Sequence, residues 1–325
     1  MQALVFEQTG EAREVLSVRD VREPVPAAGE VLVAVEASPV HPADFSFVRG
    51  TYRAKPTFPQ VAGLSGAGRV VSAGAGVGLA PGARVAFRWP GAWAELALAP
   101  IERVYAVPDA VASDAAEQFV VNPLTAWGLL EAAGVRAGDC IALTAAASSV
   151  AALVGALAVE RGVRVIGIAR EQSLGELAGD VRPLAENTPD LAARVRELAG
   201  GSGIAALIDC VGGGLAGSLF PALETGGTVV AYGTLSPEPV PVRNATLIYG
   251  NLTWFGFGID RFLAGLSAAD SERMLAALWA GIASGRLPLP VQAHAPLADF
   301  SSALRLAAGS GRGKVIFANR PRRAK

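Results

Sequence analysis

Over roughly the first hundred residues, apolar and polar positions alternate in the manner of β-strands, with Gly and Pro punctuating the runs. Residues 29–36, 68–74 and 82–87 are the clearest of these predicted strands. Short strands at this spacing suggest a β-barrel-like domain. After about Ser113 the pattern changes to helical stretches between short, wholly apolar runs at 139–143, 164–168, 205–210 and 227–232. Runs of that kind belong to a parallel sheet covered on both faces, so a doubly wound α/β domain is predicted. The β pattern returns at Gly313-Lys314-Val315-Ile316-Phe317, and no internal repeat is present.

A chain of 325 residues leads to an expectation of about two domains. With 28 Lys+Arg against 29 Asp+Glu the net charge is −1, which gives no basic footprint for nucleic acid or an anionic membrane. The basic residues of the tail 320–325 read as a solvated terminus. Two cysteines, Cys140 and Cys210, exclude a disulfide scaffold and a multi-cysteine zinc lobe, and they fit a reducing cytosol. Met1 to Glu7 lacks a basic region followed by an apolar core, so no signal peptide and a cytoplasmic location are expected. The uncharged stretch 140–159 has the length of a membrane span, but Thr144, Ser148 and Ser149 at its centre and its alanine richness argue instead for strand, small-residue turn and helix.

That strand, turn and helix are the parts of a dinucleotide-binding βαβ unit, in which the amides and dipole of a helix N-terminus face a pyrophosphate. Glycine is missing where G-x-G-x-x-G would place it, and its roles pass to Ser148, Ser149 and Ala151 around Val150. The next strand ends at Arg170, about 20 residues beyond the turn, where an NAD-selective site has an acid for the ribose hydroxyl. An arginine there suits the 2′-phosphate of NADPH. Further turns, Cys210-Val211-Gly212-Gly213-Gly214, Tyr232-Gly233-Thr234 and Phe255-Gly256-Phe257, follow later strands and are expected to line the same crevice.

Several motifs, taken in order, resemble the medium-chain dehydrogenase/reductase superfamily in its zinc-free quinone oxidoreductase and mitochondrial-type enoyl reductase branch. They are Gly29-Glu30-Val31-Leu32-Val33, His41-Pro42-Ala43-Asp44, Gly50-Thr51-Tyr52, Gly63-Leu64-Ser65-Gly66, Gly91-Ala92-Trp93-Ala94-Glu95, Asn122-Pro123-Leu124-Thr125-Ala126-Trp127, Asp209-Cys210-Val211-Gly212-Gly213 and Gly313-Lys314-Val315. The resemblance implies a GroES-like β domain over 1–118 plus 286–325 and an inserted Rossmann domain over 119–285. It implies NADPH-dependent reduction of an α,β-unsaturated carbonyl compound, an enoyl thioester or a quinone-like acceptor, with Tyr52 as proton donor or enolate stabiliser. Thr125 is then expected to cap or start a helix facing the nicotinamide, Lys314 to contact the cofactor and Trp93 to line the substrate cleft, with a place in the core as the alternative for Trp93. His41 stands where the family usually has asparagine, and either acts as an acid or fills space. Glu186 aligns with a tyrosine that contacts the 2′-phosphate, and opposes the reading of Arg170.

Metal-binding members of the superfamily use a cysteine near the His41 motif and a Gly-His-Glu histidine. Here no cysteine precedes Cys140, the second motif reads Gly63-Leu64-Ser65, and the only histidines are His41 and His294, so no metal-ligand set is expected. Family resemblance also implies a homodimer joined sheet edge to sheet edge, with 245–249 as the edge strand. A reductase of a specialised biosynthetic intermediate and a non-catalytic NADPH-binding protein are the alternatives, because fold alone does not fix function.

Overall fold

The computed structural model describes residues 1–177, 179–309 and 313–319, and the basic tail 320–325 lies outside the described residues. Two compact units form: Met1–Val121 with Leu289–Lys325, and Asn122–Pro288.

In the first unit the strand Glu30–Pro39 is central. It pairs antiparallel with Gly66–Ala73, Leu96–Pro100 and the late strand Lys314–Ala318. The sheet continues through Arg84–Phe87 to Val104–Ala106 on one side and through Val291–Ala295 on the other. Alternation places Val31, Val33 and Val35 in one apolar cluster with Val70, Val85 and Phe87. A second cluster joins Leu4, Phe6, Phe47, Trp93, Leu304, Val315 and Phe317, so residues from both ends of the chain share one core. The β pattern read at 313–317 is thus the strand Lys314–Ala318.

The second unit has one six-stranded sheet, ordered Val181–Ala185, Arg164–Ala169, Cys140–Leu143, Ile204–Asp209, Leu223–Ala231, Thr253–Gly256. Every pairing in it is parallel, and the order is the 3-2-1-4-5-6 of a Rossmann sheet. Ile141, Ile166, Leu207 and Val230 at its centre are inaccessible, which explains why these strands read as unbroken apolar runs. Helix Ser149–Glu160 packs against the second strand, and its small residues Ala151, Gly155 and Ala158 are buried. The uncharged stretch 140–159 is therefore a strand, a turn and a 12-residue helix. No helix among the described residues is long and apolar enough to cross a membrane.

One predicted element is corrected. Residues 245–249 are not a strand but part of the helix Asn244–Gly250, ended by Asn251 at φ 49°. Leu247 and Leu252 turn toward the sheet core, and the edge strand is Thr253–Gly256. β-propensity over five residues yields here to anchoring of two leucines at helical and post-helical positions.

Candidate functional site

The turn after the first Rossmann strand is built without glycine. Ala145 takes φ 45°, a conformation a Cβ disfavours by about 1–2 kcal/mol, and neighbouring strands hold it there. Thr144 N–H donates to Ile208 O, and Ala146 N–H to Ile168 O. Ser148 caps the helix, its hydroxyl accepting from Ala151 N–H at 3.3 Å. The Ser149 and Val150 amides precede Ala151 in the same turn and have no intrahelical acceptor, which suits them to a pyrophosphate.

Asp209, which the sequence places in a motif but gives no role, organises this end of the sheet. Its buried carboxylate accepts from Thr144 Oγ1 at 2.6 Å, Val211 N–H at 3.1 Å and Gly212 N–H at 2.9 Å. Cys210 N–H donates to Thr144 Oγ1 at 3.1 Å, so the turns after the first and fourth strands are tied together. The signal in the sequence is an acid that ends an apolar strand just before Gly-rich residues. Both cysteines are free and buried, and burial pushes the Cys210 thiol up to about 11. The Cys210 N–H, thiol and carbonyl all serve contacts within the protein, so Cys210 holds the turn instead of offering a free donor. Tyr232 follows the fifth strand, and burial beside Cys210 holds its phenol well above the usual range, hence protonated. Gly233 is required because a Cβ would stand 2.7 Å from Cys210 O. Phe255 and Gly256 lie on the edge strand, and Phe257 packs on Phe262 at a centroid distance of 5.8 Å.

Arg170 follows the second strand, is exposed, and has no ion pair among the described residues. Ala169 and Ala185 are register partners, so Arg170 and Glu186 follow adjacent strand ends, and Glu186 N–H donates to Ala169 O at 2.9 Å. Thr125 lies in the first turn of helix Asn122–Ala133 and is half-buried. Asn122 opens that helix, buried, with Nδ2 lacking a partner.

The first unit holds the other predicted residues. Gly50, at φ 73°, permits the turn that brings Tyr52 N–H to Ser46 O at 3.0 Å. The half-buried Tyr52 ring leans on the Phe6 and Phe47 core, and its hydroxyl accepts from Arg53 Nε at 3.3 Å. The phenolic proton is thus left to donate outward. His41 precedes helix Pro42–Val48 and is buried, with Nε2 unpartnered. Burial, reinforced by Lys314, keeps its imidazole well below 6.5 and therefore neutral near pH 7. Asp44 accepts from His41 N–H at 2.7 Å and Leu64 N–H at 2.9 Å, fixing the loop that carries Gly63-Leu64-Ser65. Burial raises Asp44 to about 7 and lowers Lys314 to about 8.

Two expectations are corrected. Trp93 is fully buried, packs edge-on against Phe317 at 5.0 Å and lies against Gly63, so it is a core residue and presents no surface to a substrate. A potential metal-ligand set does assemble, because the fold brings His294 to Asp114 and Glu117. Glu117 is fully buried, and burial with Asp114 nearby pushes its carboxyl up to about 9.

Two family models match: the alcohol dehydrogenase GroES-like domain over 27–109 and the zinc-binding dehydrogenase over 149–275. The mitochondrial enoyl-[acyl-carrier-protein] reductase of Xenopus tropicalis is 31% identical over 324 residues, covering 94% of this chain and 91% of its own. A mycobacterial quinone oxidoreductase structure is similar with a TM-score of 0.87 and 29% identity, over 98% of this chain and 100% of that one. A mycobacterial structure complexed with NADPH gives a TM-score of 0.88 and 30% identity, over 98% and 100%.

Proposed function

This chain belongs to the medium-chain dehydrogenase/reductase superfamily, in its quinone oxidoreductase and enoyl reductase branch, and on that premise we propose that it is an NADPH-dependent reductase of α,β-unsaturated carbonyl compounds, enoyl thioesters or quinone-like acceptors. The observation that carries the cofactor reading is Arg170, an exposed cation with no ion pair among the described residues, at the end of the second Rossmann strand. The capped N-terminus of helix Ser149–Glu160 and the close backbone at Gly233 fit a bound dinucleotide. In this reading Ser149 and Val150 amides hold the pyrophosphate, Arg170 the 2′-phosphate, and Tyr232-Gly233, Gly256 and Phe257 complete the cofactor contacts.

NADPH, when bound, supplies hydride. The acceptor takes it at the β carbon, the double bond shifts, and charge gathers on the carbonyl oxygen. Tyr52 donates a hydrogen bond to that oxygen, and the α carbon is protonated from Tyr52 or from water. No step calls for a catalytic metal, because the conjugated acceptor spreads the charge itself. The position of a metal-binding histidine is held by buried Leu64, whose N–H is engaged by Asp44. Neutral, buried His41 fills the space beside this loop, and in this reading Thr125, in the first turn of its helix, faces the nicotinamide. Two free, buried cysteines accord with a reducing cytoplasm.

The test is loss of nicotinamide absorbance when the pure protein and NADPH meet crotonyl thioester, a simple quinone or an aldehyde. Turnover with the conjugated acceptors is expected. Absence of turnover with all three, together with no NADPH-induced rise in Tm, would sink the reading. Arg170→Ala is expected to weaken NADPH roughly 10- to 150-fold while leaving NADH nearly unchanged, the loss of one charge-assisted hydrogen bond. Equal weakening of both cofactors would remove Arg170 from the 2′-phosphate site.

The proposal extends to a homodimer joined through the edge strand Thr253–Gly256. Trp254 and Phe255 there are 42% and 36% exposed, and Ile248 and Tyr249 on the preceding helix are 69% and 85% exposed. An open edge flanked by such an apolar patch calls for cover, and a second copy supplies it symmetrically. Light scattering is expected to give the mass of a dimer; a monomer at working concentration contradicts the proposal.

A further inference from the structure

Asp114 and Glu117 are three positions apart on helix Ser113–Phe119, and so share a face. The strand Val291–Ala295 brings His294 to the same place, its Nε2 standing 3.3 Å from Asp114 Oδ1. One ligand atom from each of the three residues lies within 4.8 Å of the others. A tetrahedral ion with bonds of about 2.0–2.2 Å has ligand-to-ligand edges of roughly 3.3–3.6 Å, so the His294–Asp114 pair already spans one edge.

The independent observation is Glu117. It has no exposure, and neither carboxyl oxygen has a hydrogen-bond partner among the described residues. Buried carboxyl groups are normally hydrogen-bonded, paired or bound to metal, since isolation costs several kcal/mol by order of magnitude. The adjacent Gln118 amide gives no help, because its Nε2 donates to Asp114 O and Leu289 O. Asp114, the charged neighbour that acts on Glu117, is another acid. Two carboxylates and an imidazole, one carboxylate lacking any donor, form a donor set for a cation of borderline softness.

We propose that Asp114, Glu117 and His294 bind a divalent transition-metal ion of the zinc class, with water completing its coordination. This position is separate from the His41 and Gly63-Leu64-Ser65 positions that correspond to a catalytic metal, and the proposal is independent of the reductase reading. Its role is mechanical. The helix immediately precedes the point where the chain leaves the first unit, and the strand follows just after its return. Gln118 Nε2 bonded to Leu289 O at 3.0 Å already links exit and return, and the ion adds a second clasp.

The experiment uses tag-free full-length protein stripped with chelator, titrated calorimetrically with zinc chloride, with Tm and the visible spectrum of the cobalt(II) form as second readouts. One equivalent of zinc, a raised Tm and a tetrahedral cobalt spectrum are expected. His294→Ala, Asp114→Asn and Glu117→Gln are each expected to weaken zinc by at least about tenfold. The first two side chains are exposed, so those variants test binding without cutting into the core. No binding up to about 1 mM zinc, a weak-affinity ceiling, overturns the proposal. So does unchanged affinity in His294→Ala, and so does unchanged affinity in Glu117→Gln, which reduces the site to an adventitious surface pair.

Discussion

Tyr52→Phe is expected to lower kcat/KM by about 10²–10⁴, the usual worth of a positioned general acid, while NADPH affinity and Tm stay as they are. The ring carries the packing against the Phe6 and Phe47 core, and phenylalanine keeps it. The hydroxyl makes one bond within the protein, as acceptor from Arg53, so its removal has a small effect on folding. The proton it offers has no acceptor to lose among the described residues. Steady-state rates with crotonyl thioester, set beside a cofactor titration, decide the matter. Unchanged turnover would assign proton delivery to water, since His41 is held neutral and buried and is a poor acid near pH 7.

Asp209→Ala is expected to destabilise the Rossmann unit by about 3 kcal/mol or more, because Thr144 Oγ1 and the Val211 and Gly212 amides each lose a charged acceptor worth roughly 1–3 kcal/mol. For a domain of this size that is a fall in Tm of roughly 10 °C. NADPH affinity is expected to fall with it, although the Asp209 carboxylate bonds only to Thr144, Val211 and Gly212. The carboxylate fixes the Thr144 turn and the Cys210 turn relative to each other, and misplacement of either moves the helix that Ser148 caps. Calorimetric unfolding and cofactor titration of the same sample check both effects. A Tm within about 2 °C of the parent, a shift worth under 1 kcal/mol, would show that the turns are held by the parallel strands alone.

The parallel sheet was legible because strands buried on both faces must be apolar throughout, as Ile141, Ile166, Leu207 and Val230 are. The helix after it could be placed because Ser148 is both a cap and a break in the uncharged run. What failed to show depends on distant partners. Trp93 is a core residue because Phe317 and Gly63 close around it, and neither contact leaves a mark in Gly91-Ala92-Trp93. Residues 245–249 carry β-prone side chains, yet Leu247 and Leu252 find the core only when the segment coils. His294 and Asp114 are 180 positions apart, so their meeting has no local signature. Asp209 could have been found, since an acid closing a buried strand must be satisfied by the turn that follows.

The first unit is built from the two ends of the chain, and this sets a timetable for synthesis. Asn319 Nδ2 donates to Val35 O across 284 positions, and Val315, Ile316 and Phe317 enter the core beside residues translated far earlier. At about 5–20 residues per second, the early strands wait on the order of 15–60 s on the ribosome for the one that completes their sheet. The second unit is contiguous, and all six of its strands are translated before that closing strand. During this interval the order of folding runs inside out: the inserted unit matures first, and the surrounding one keeps Phe6, Phe47 and Trp93 open to chaperones until the closing strand emerges.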